Sequence, residues 1–107
     1  MPEIARKNST DTVASPDGAG PCCGFPSTQT TNQGSNDVFI NNVGAVRLGD
    51  AMISHSNPIP FCCASHAPTL SSCSSTVFIN GKGVGRKGDV YGGNHTITSG
   101  SNNVFAG

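Results

Sequence analysis

The sequence predicts an all-β domain assembled from repeated hairpins, with little or no helix. A seventeen-residue stretch occurs twice without a gap. Gly34 to Asp50 reads GSNDVFINNVGAVRLGD, Cys73 to Asp89 reads CSSTVFINGKGVGRKGD, and nine of the seventeen positions are identical. A shortened third copy, GSNNVF, runs from Gly100 to Phe105. Such repeats mark supersecondary units that cannot bury their apolar faces alone. The apolar residues inside the copies are Val, Ile and Phe, which fit a pleated, half-buried surface. No stretch shows an apolar period of 3.6, Leu occurs only at Leu48 and Leu70, and there are 14 Gly and 7 Pro.

The chain has 107 residues, enough for a single domain over 1–107 with no fused effector domain. Six Lys and Arg balance six Asp and Glu, and charged residues make up only 11%. No basic run or interleaved aromatic stripe points to nucleic acid. No apolar run is long enough to span a bilayer as a helix, and Met1 to Arg6 lacks the pattern of a signal peptide, so synthesis in the cytoplasm is expected. So few large apolar residues make a weak core, and small domains of that kind commonly add disulfides, a metal or a partner. Five Cys is an odd number, and a reducing compartment disfavours bridges, which leaves a metal or a partner surface as the expectation.

Residues 1–33 form an irregular first segment. Arg6, Lys7 and Asp11 stand there as a degenerate form of the Arg-x-Gly-Asp that ends each full copy, at Arg47 to Asp50 and Arg86 to Asp89. Three Arg-to-Asp segments and three Val-Phe segments describe a three-part object whose first unit lacks its start and whose last lacks its end. A pseudo-threefold closed structure, in which the two termini complete one another, has that phase. Within each full copy, Val-Phe-Ile leads into a hairpin turn. Asn80-Gly81 is the strongest short signal for a type I′ turn, and Asn41-Asn42 is its counterpart, because both central residues need positive φ. Gly44 and Gly83 recur after the turns, where a bulge or a close backbone approach is expected. Gly49-Asp50 and Gly88-Asp89 then release the chain into connections of differing length.

Those connections, Thr12 to Gln33, Ala51 to Ser72 and Val90 to Ser99, hold every His and four of the five Cys. Loops projecting from equivalent places on a repeated scaffold converge at one end of it. His55, His66 and His95, with Cys22, Cys23, Cys62 and Cys63, are the candidate ligands for an ion that wants four N or S donors. The bland alternative is polar surface His and small buried Cys. In a strand, adjacent Cys face opposite ways, so at most one of each pair should point inward. Cys73 replaces the Gly that heads the other copies, which favours a structural role. Arg47 and Arg86 could pair with Asp50 and Asp89 or pack their stems on the hairpins. No His-Glu-x-x-His, Gly-x-Ser-x-Gly or phosphate-cradling loop is present.

The tripled pattern Gly/Cys-Ser-x-x-Val-Phe-Ile-Asn-x-x-Gly-x-x-Arg-x-Gly-Asp, with the terminal GSNNVFAG, resembles the PAAR-repeat family over nearly the whole chain. The first segment departs, having Asn8 to Asp11 where Gly-Asp belongs. The resemblance implies a small pseudo-threefold cone of β-hairpins. Such a cone sits on the blunt end of a trimeric β-helical spike, one copy per trimer, and forms the tip of a type VI secretion system or a contractile phage tail. It further implies one structural metal ion, zinc first and iron second, held near the point by three His and one Cys. Carried onto this sequence, the ligands are His55, His66 and His95, with Cys23 as the fourth and Cys22 and Cys63 as its rivals. The implied role is non-enzymatic: membrane piercing through transient contact with the target membrane, with cargo effectors encoded separately, and delivery outward from the cytoplasm. Two alternatives remain open. One is a small metal-dependent hydrolase in which Asp17 or Asp37 acts as base; the other is a free-standing β-rich binding module.

Overall fold

A computed structural model describes residues 1–107, and the chain is all-β. Ten strands follow in order: β1 (Thr12–Ala19), β2 (Phe25–Thr30), β3 (Phe39–Ile40), β4 (Val43–Gly44), β5 (His55–Asn57), β6 (Ala64–His66), β7 (Phe78–Ile79), β8 (Lys82–Gly83), β9 (Val90–Tyr91) and β10 (His95–Ile97). A single 3₁₀ turn at Pro21–Cys23 interrupts them. The strands form one antiparallel sheet in the order β2-β1-β10-β9 and three two-stranded hairpins, β3-β4, β5-β6 and β7-β8.

The two full copies fold as the sequence predicts. Asn41 and Asn42 have φ of 54° and 68°, Asn80 and Gly81 have 55° and 76°, and each pair joins strands with Ile40 opposite Val43 or Ile79 opposite Lys82. The serine that opens each copy caps its own turn. Ser35, Ser74 and Ser101 each accept the amide of the residue three positions on, Val38, Val77 or Val104, at 3.0 Å. A Cβ on Gly44 would land on the carbonyl oxygen of Ser35, and one on Gly83 would meet the Cys73 sulfur, so the expected close approach is present at both. Each Arg-to-Asp segment closes on itself by a forked ion pair. Arg47 Nε donates to Asp50 at 2.9 Å and Arg86 Nε to Asp89 at 2.9 Å; in the degenerate segment Arg6 does the same to Asp11 at 3.0 Å.

Equivalent backbone groups then link the three segments in a closed circuit. Ala5 N–H donates to Gly85 O at 2.9 Å, Gly85 N–H to Val46 O at 2.8 Å, and Val46 N–H to Ala5 O at 3.0 Å. The two ends of the chain pair as well, with Ile4 N–H donating to Val104 O and Ala106 N–H to Pro2 O, each at 3.0 Å. Two apolar clusters result. One gathers Ile4, Ile40, Ala45, Ile79, Val84 and Ala106 from the hairpins and the paired ends. The other gathers Val13, Val46, Met52, Leu70, Tyr91 and Ile97 with Ala5, where the connections leave the hairpins. The free thiol of Cys73 packs against this second cluster. The whole measures 39 × 23 × 22 Å, elongated along one axis.

Candidate metal centre

His55, five residues after Asp50, opens β5, while His66 closes β6; the ladder puts the two directly opposite one another. Facing residues on one side of an antiparallel ladder are neighbours by construction. His95 opens β10, which pairs with β1 through Val13–Ile97 and Ala14–Thr96 and so runs beside the strand that carries Asp17. The ring nitrogens meet. Nε2 of His55 lies 2.8 Å from Nε2 of His66 and 3.0 Å from Nε2 of His95. Asp17 Oδ1 is 2.8 Å from Nε2 of His55 and 3.4 Å from that of His66 and of His95. One donor atom from each of the four residues lies within 4.8 Å of the others.

The rings are aimed from behind. Nδ1 of His55 lies 3.0 Å from the Ile53 carbonyl and Nδ1 of His95 lies 2.8 Å from that of Gly92. A carbonyl can only accept, so these Nδ1 atoms carry the protons and the Nε2 lone pairs point inward, the arrangement by which outer partners orient ligating His. Lone pairs converging at such distances repel unless a cation lies among them. Zinc–nitrogen bonds near 2.0 Å imply donor separations of about 3.3 Å in a tetrahedron, close to those found. Burial disfavours the charged form of the Asp17 carboxyl, yet the Ser15 hydroxyl, donating at 2.9 Å, and His55 outweigh it and hold the group below the usual carboxylate range. The four residues therefore suit a divalent ion. His55 and His95 are almost wholly buried, with 3% and 1% of their side chains exposed, whereas His66 exposes 31% and faces the side from which an ion would enter.

The structure thus brings together His55, His66 and His95 but not Cys23. The sulfur of Cys23 is bonded to Cys63, that of Cys22 to Cys62, and Asp17 stands where a thiolate was expected. Two expectations are corrected here. Bridges do form, and both members of each Cys pair engage the facing segment, because the backbone is not strand-like there. Cys22 and Cys23 have φ of 54° and 55°, and consecutive left-handed residues turn their side chains as a helical turn does rather than to opposite faces. Asp37 lies outside the cluster, its carboxylate taking the Ser35 hydroxyl and the Asn80 amide on the hairpin side. The sequence offers Asp17 as a candidate base, whereas its register marks a ligand position: it follows Asp11 by six residues as His95 follows Asp89.

No protein-family model matches this chain, and no curated protein matches it.

Proposed function

We propose that this chain is a metal-stabilised conical tip, pseudo-threefold in plan, that caps the trimeric β-helical central spike of a contractile injection machine, one copy per trimer. The observation that carries the proposal is the convergence of donors from all three connections: Asp17 after Asp11, His55 and His66 after Asp50, His95 after Asp89. One ion, zinc or iron, would then tie the three connections together and supply the rigidity that a small core lacks. Four protein donors fill a tetrahedron and leave no open position for an attacking water, which supports a structural ion over a hydrolytic one.

The closed circuit of Ala5, Val46 and Gly85 supports the threefold plan. A chain with three similar faces matches a trimer's end while remaining a monomer, and it covers strand edges that would otherwise pair with other chains. Equivalent positions of the three copies expose Phe39, Phe78 and Phe105, by 56%, 60% and 45%, which suits an apolar footing on the trimer. Phe25, which opens β2, and Ile59 and Phe61, on the loop between β5 and β6, are exposed near the disulfides and suit transient contact with a target membrane. The proposed route is synthesis in the cytoplasm, assembly on the spike of a phage tail or secretion system, and outward delivery, with any cargo carried as a separate protein.

The test is size-exclusion chromatography with light scattering on the chain mixed with a trimeric β-helical spike from the same source. The chain should elute with the trimer at one copy per three subunits. Phe39→Ser, Phe78→Ser and Phe105→Ser together should weaken that association on the order of 100-fold with the bound ion retained. A chain that ignores the trimer would favour the free-standing binding module.

A further inference from the structure

Cys22–Cys62 and Cys23–Cys63 stand side by side, with Cα separations of 4.2 and 5.1 Å, and join two loops that carry ligands. The first loop leaves β1 just beyond Asp17. The second, between Asn57 and Ala64, links β5 to β6 and so has His55 and His66 at its feet. A cleft of about 490 Å³ opens beside the cluster, lined by Asp17 of β1 and His66 of β6, by Gly24 of the first loop and by Pro58 and Ile59 of the second. Its mouth is therefore framed by the segments that the bridges hold together, and His66, the exposed ligand, borders it. Cys22, Cys62 and Cys63 are exposed and Cys23 half-buried, so the sulfurs are within reach of small reagents.

We propose that these four cysteines are a thiol–disulfide exchange site whose reagent is a small disulfide such as oxidised glutathione, and that its closure latches the metal site. The proposal rests on the reading of Asp17 and the three His as ligands. As thiols, the two loops separate and the ion exchanges through the cleft. As disulfides, they are held and the ion is retained. For each bridge, a protein thiolate attacks the small disulfide and expels one small thiol. The facing protein thiolate then attacks that mixed disulfide and expels the second. Each bridge thus gives up two electrons and two protons and consumes one small disulfide; the pair consumes two. Metal loading belongs to the reducing cytoplasm, and latching to the oxidising surroundings met on delivery.

The experiment compares the zinc-loaded chain after treatment with oxidised glutathione and after reduction with a phosphine. Free thiols are counted by alkylation and zinc release is followed in excess chelator. The oxidised chain should retain one alkylatable thiol, Cys73, and the reduced chain all five. Release from the oxidised chain should be slower by ~10-fold or more, because opening that cleft then requires cross-linked loops to part. A chain with Cys22, Cys23, Cys62 and Cys63 all changed to Ser should release quickly under both treatments. Equal release rates with equal zinc content would overturn the latch and leave the metal reading standing. Five alkylatable thiols after oxidised glutathione would likewise overturn it. No zinc in either form would overturn the latch and the metal reading together.

Discussion

Burial opposes ionisation of Asp17, yet the Ser15 hydroxyl that it accepts and the His55 and His66 rings beside it hold its carboxylate below the ordinary value of 3.8. A carboxylate whose folded value is depressed stabilises the fold above the unfolded value and loses that contribution as pH falls through the folded one. The acid limb of the ion-free chain's stability should therefore be shallower in Asp17→Asn, measured as urea midpoint against pH below about 4; an unchanged slope would reject the role of this carboxylate. Tyr91 makes the opposite case. Its ring is fully buried in the core while its hydroxyl has no hydrogen-bond partner. Burial, with Asp50 and Asp11 adding to it, pushes that phenol well above the usual range. Removing an unsatisfied buried hydroxyl costs nothing in partners, so Tyr91→Phe should raise stability by about 1 kcal/mol, seen as a higher melting temperature. At this scale the three His were legible because they are the chain's only His. The fourth donor was harder to read, because its six-residue offset from Asp11 can be counted only once the degenerate first segment is aligned with the full copies. Cys23 misled for a conformational reason: adjacent left-handed residues are invisible in a bare Cys-Cys pair.

The hairpins were the most legible elements. Val-Phe-Ile followed by Asn-Gly or Asn-Asn states strand and turn in consecutive residues, and a local signal of that kind survives any tertiary setting. The opening serine's use of its hydroxyl as a turn cap, the packing of Gly44 beneath the Ser35 carbonyl and the Arg47–Asp50 pair explain four further fixed letters of the repeat, Ser, Gly, Arg and the closing Asp. Gly44→Ala should destabilise the chain by ~2 kcal/mol or more, because the new methyl meets backbone rather than a movable side chain. A denaturant midpoint within error of wild type would contradict that packing. The pairing of β1 with β10, which brings Asp17 beside His95, was illegible. It joins residues some eighty positions apart, and no local pattern encodes the partner of a strand. Short strands add to this, since β3-β4, β7-β8 and β9-β10 pair over only two residues each and several further links are isolated bridges.

At the scale of the whole molecule, one chain uses the same contacts three times and closes the circuit through its own ends. Twenty-nine of its residues are buried, and several of the largest of those side chains are polar, so apolar burial alone leaves it weakly held. The two disulfides and the His/Asp cluster both fasten connections that the hairpins do not reach. That division, between repeated hairpins and cross-linked connections, is what the proposed tip would require to keep its shape under load. Composition foretold the need for a staple and assigned it to a metal or a partner surface rather than to disulfides; the structure has bridges, because the left-handed turns at Cys22, Cys23 and Cys63 bring four sulfurs face to face. The most direct measurement is native mass spectrometry of the chain purified with zinc in the medium, beside His66→Ala prepared identically. The account expects one ion per wild-type chain, none in the variant, and a melting temperature lower in the variant by on the order of 10 °C. A wild-type chain at its ion-free mass, or a variant with unchanged ion content and melting, would contradict it.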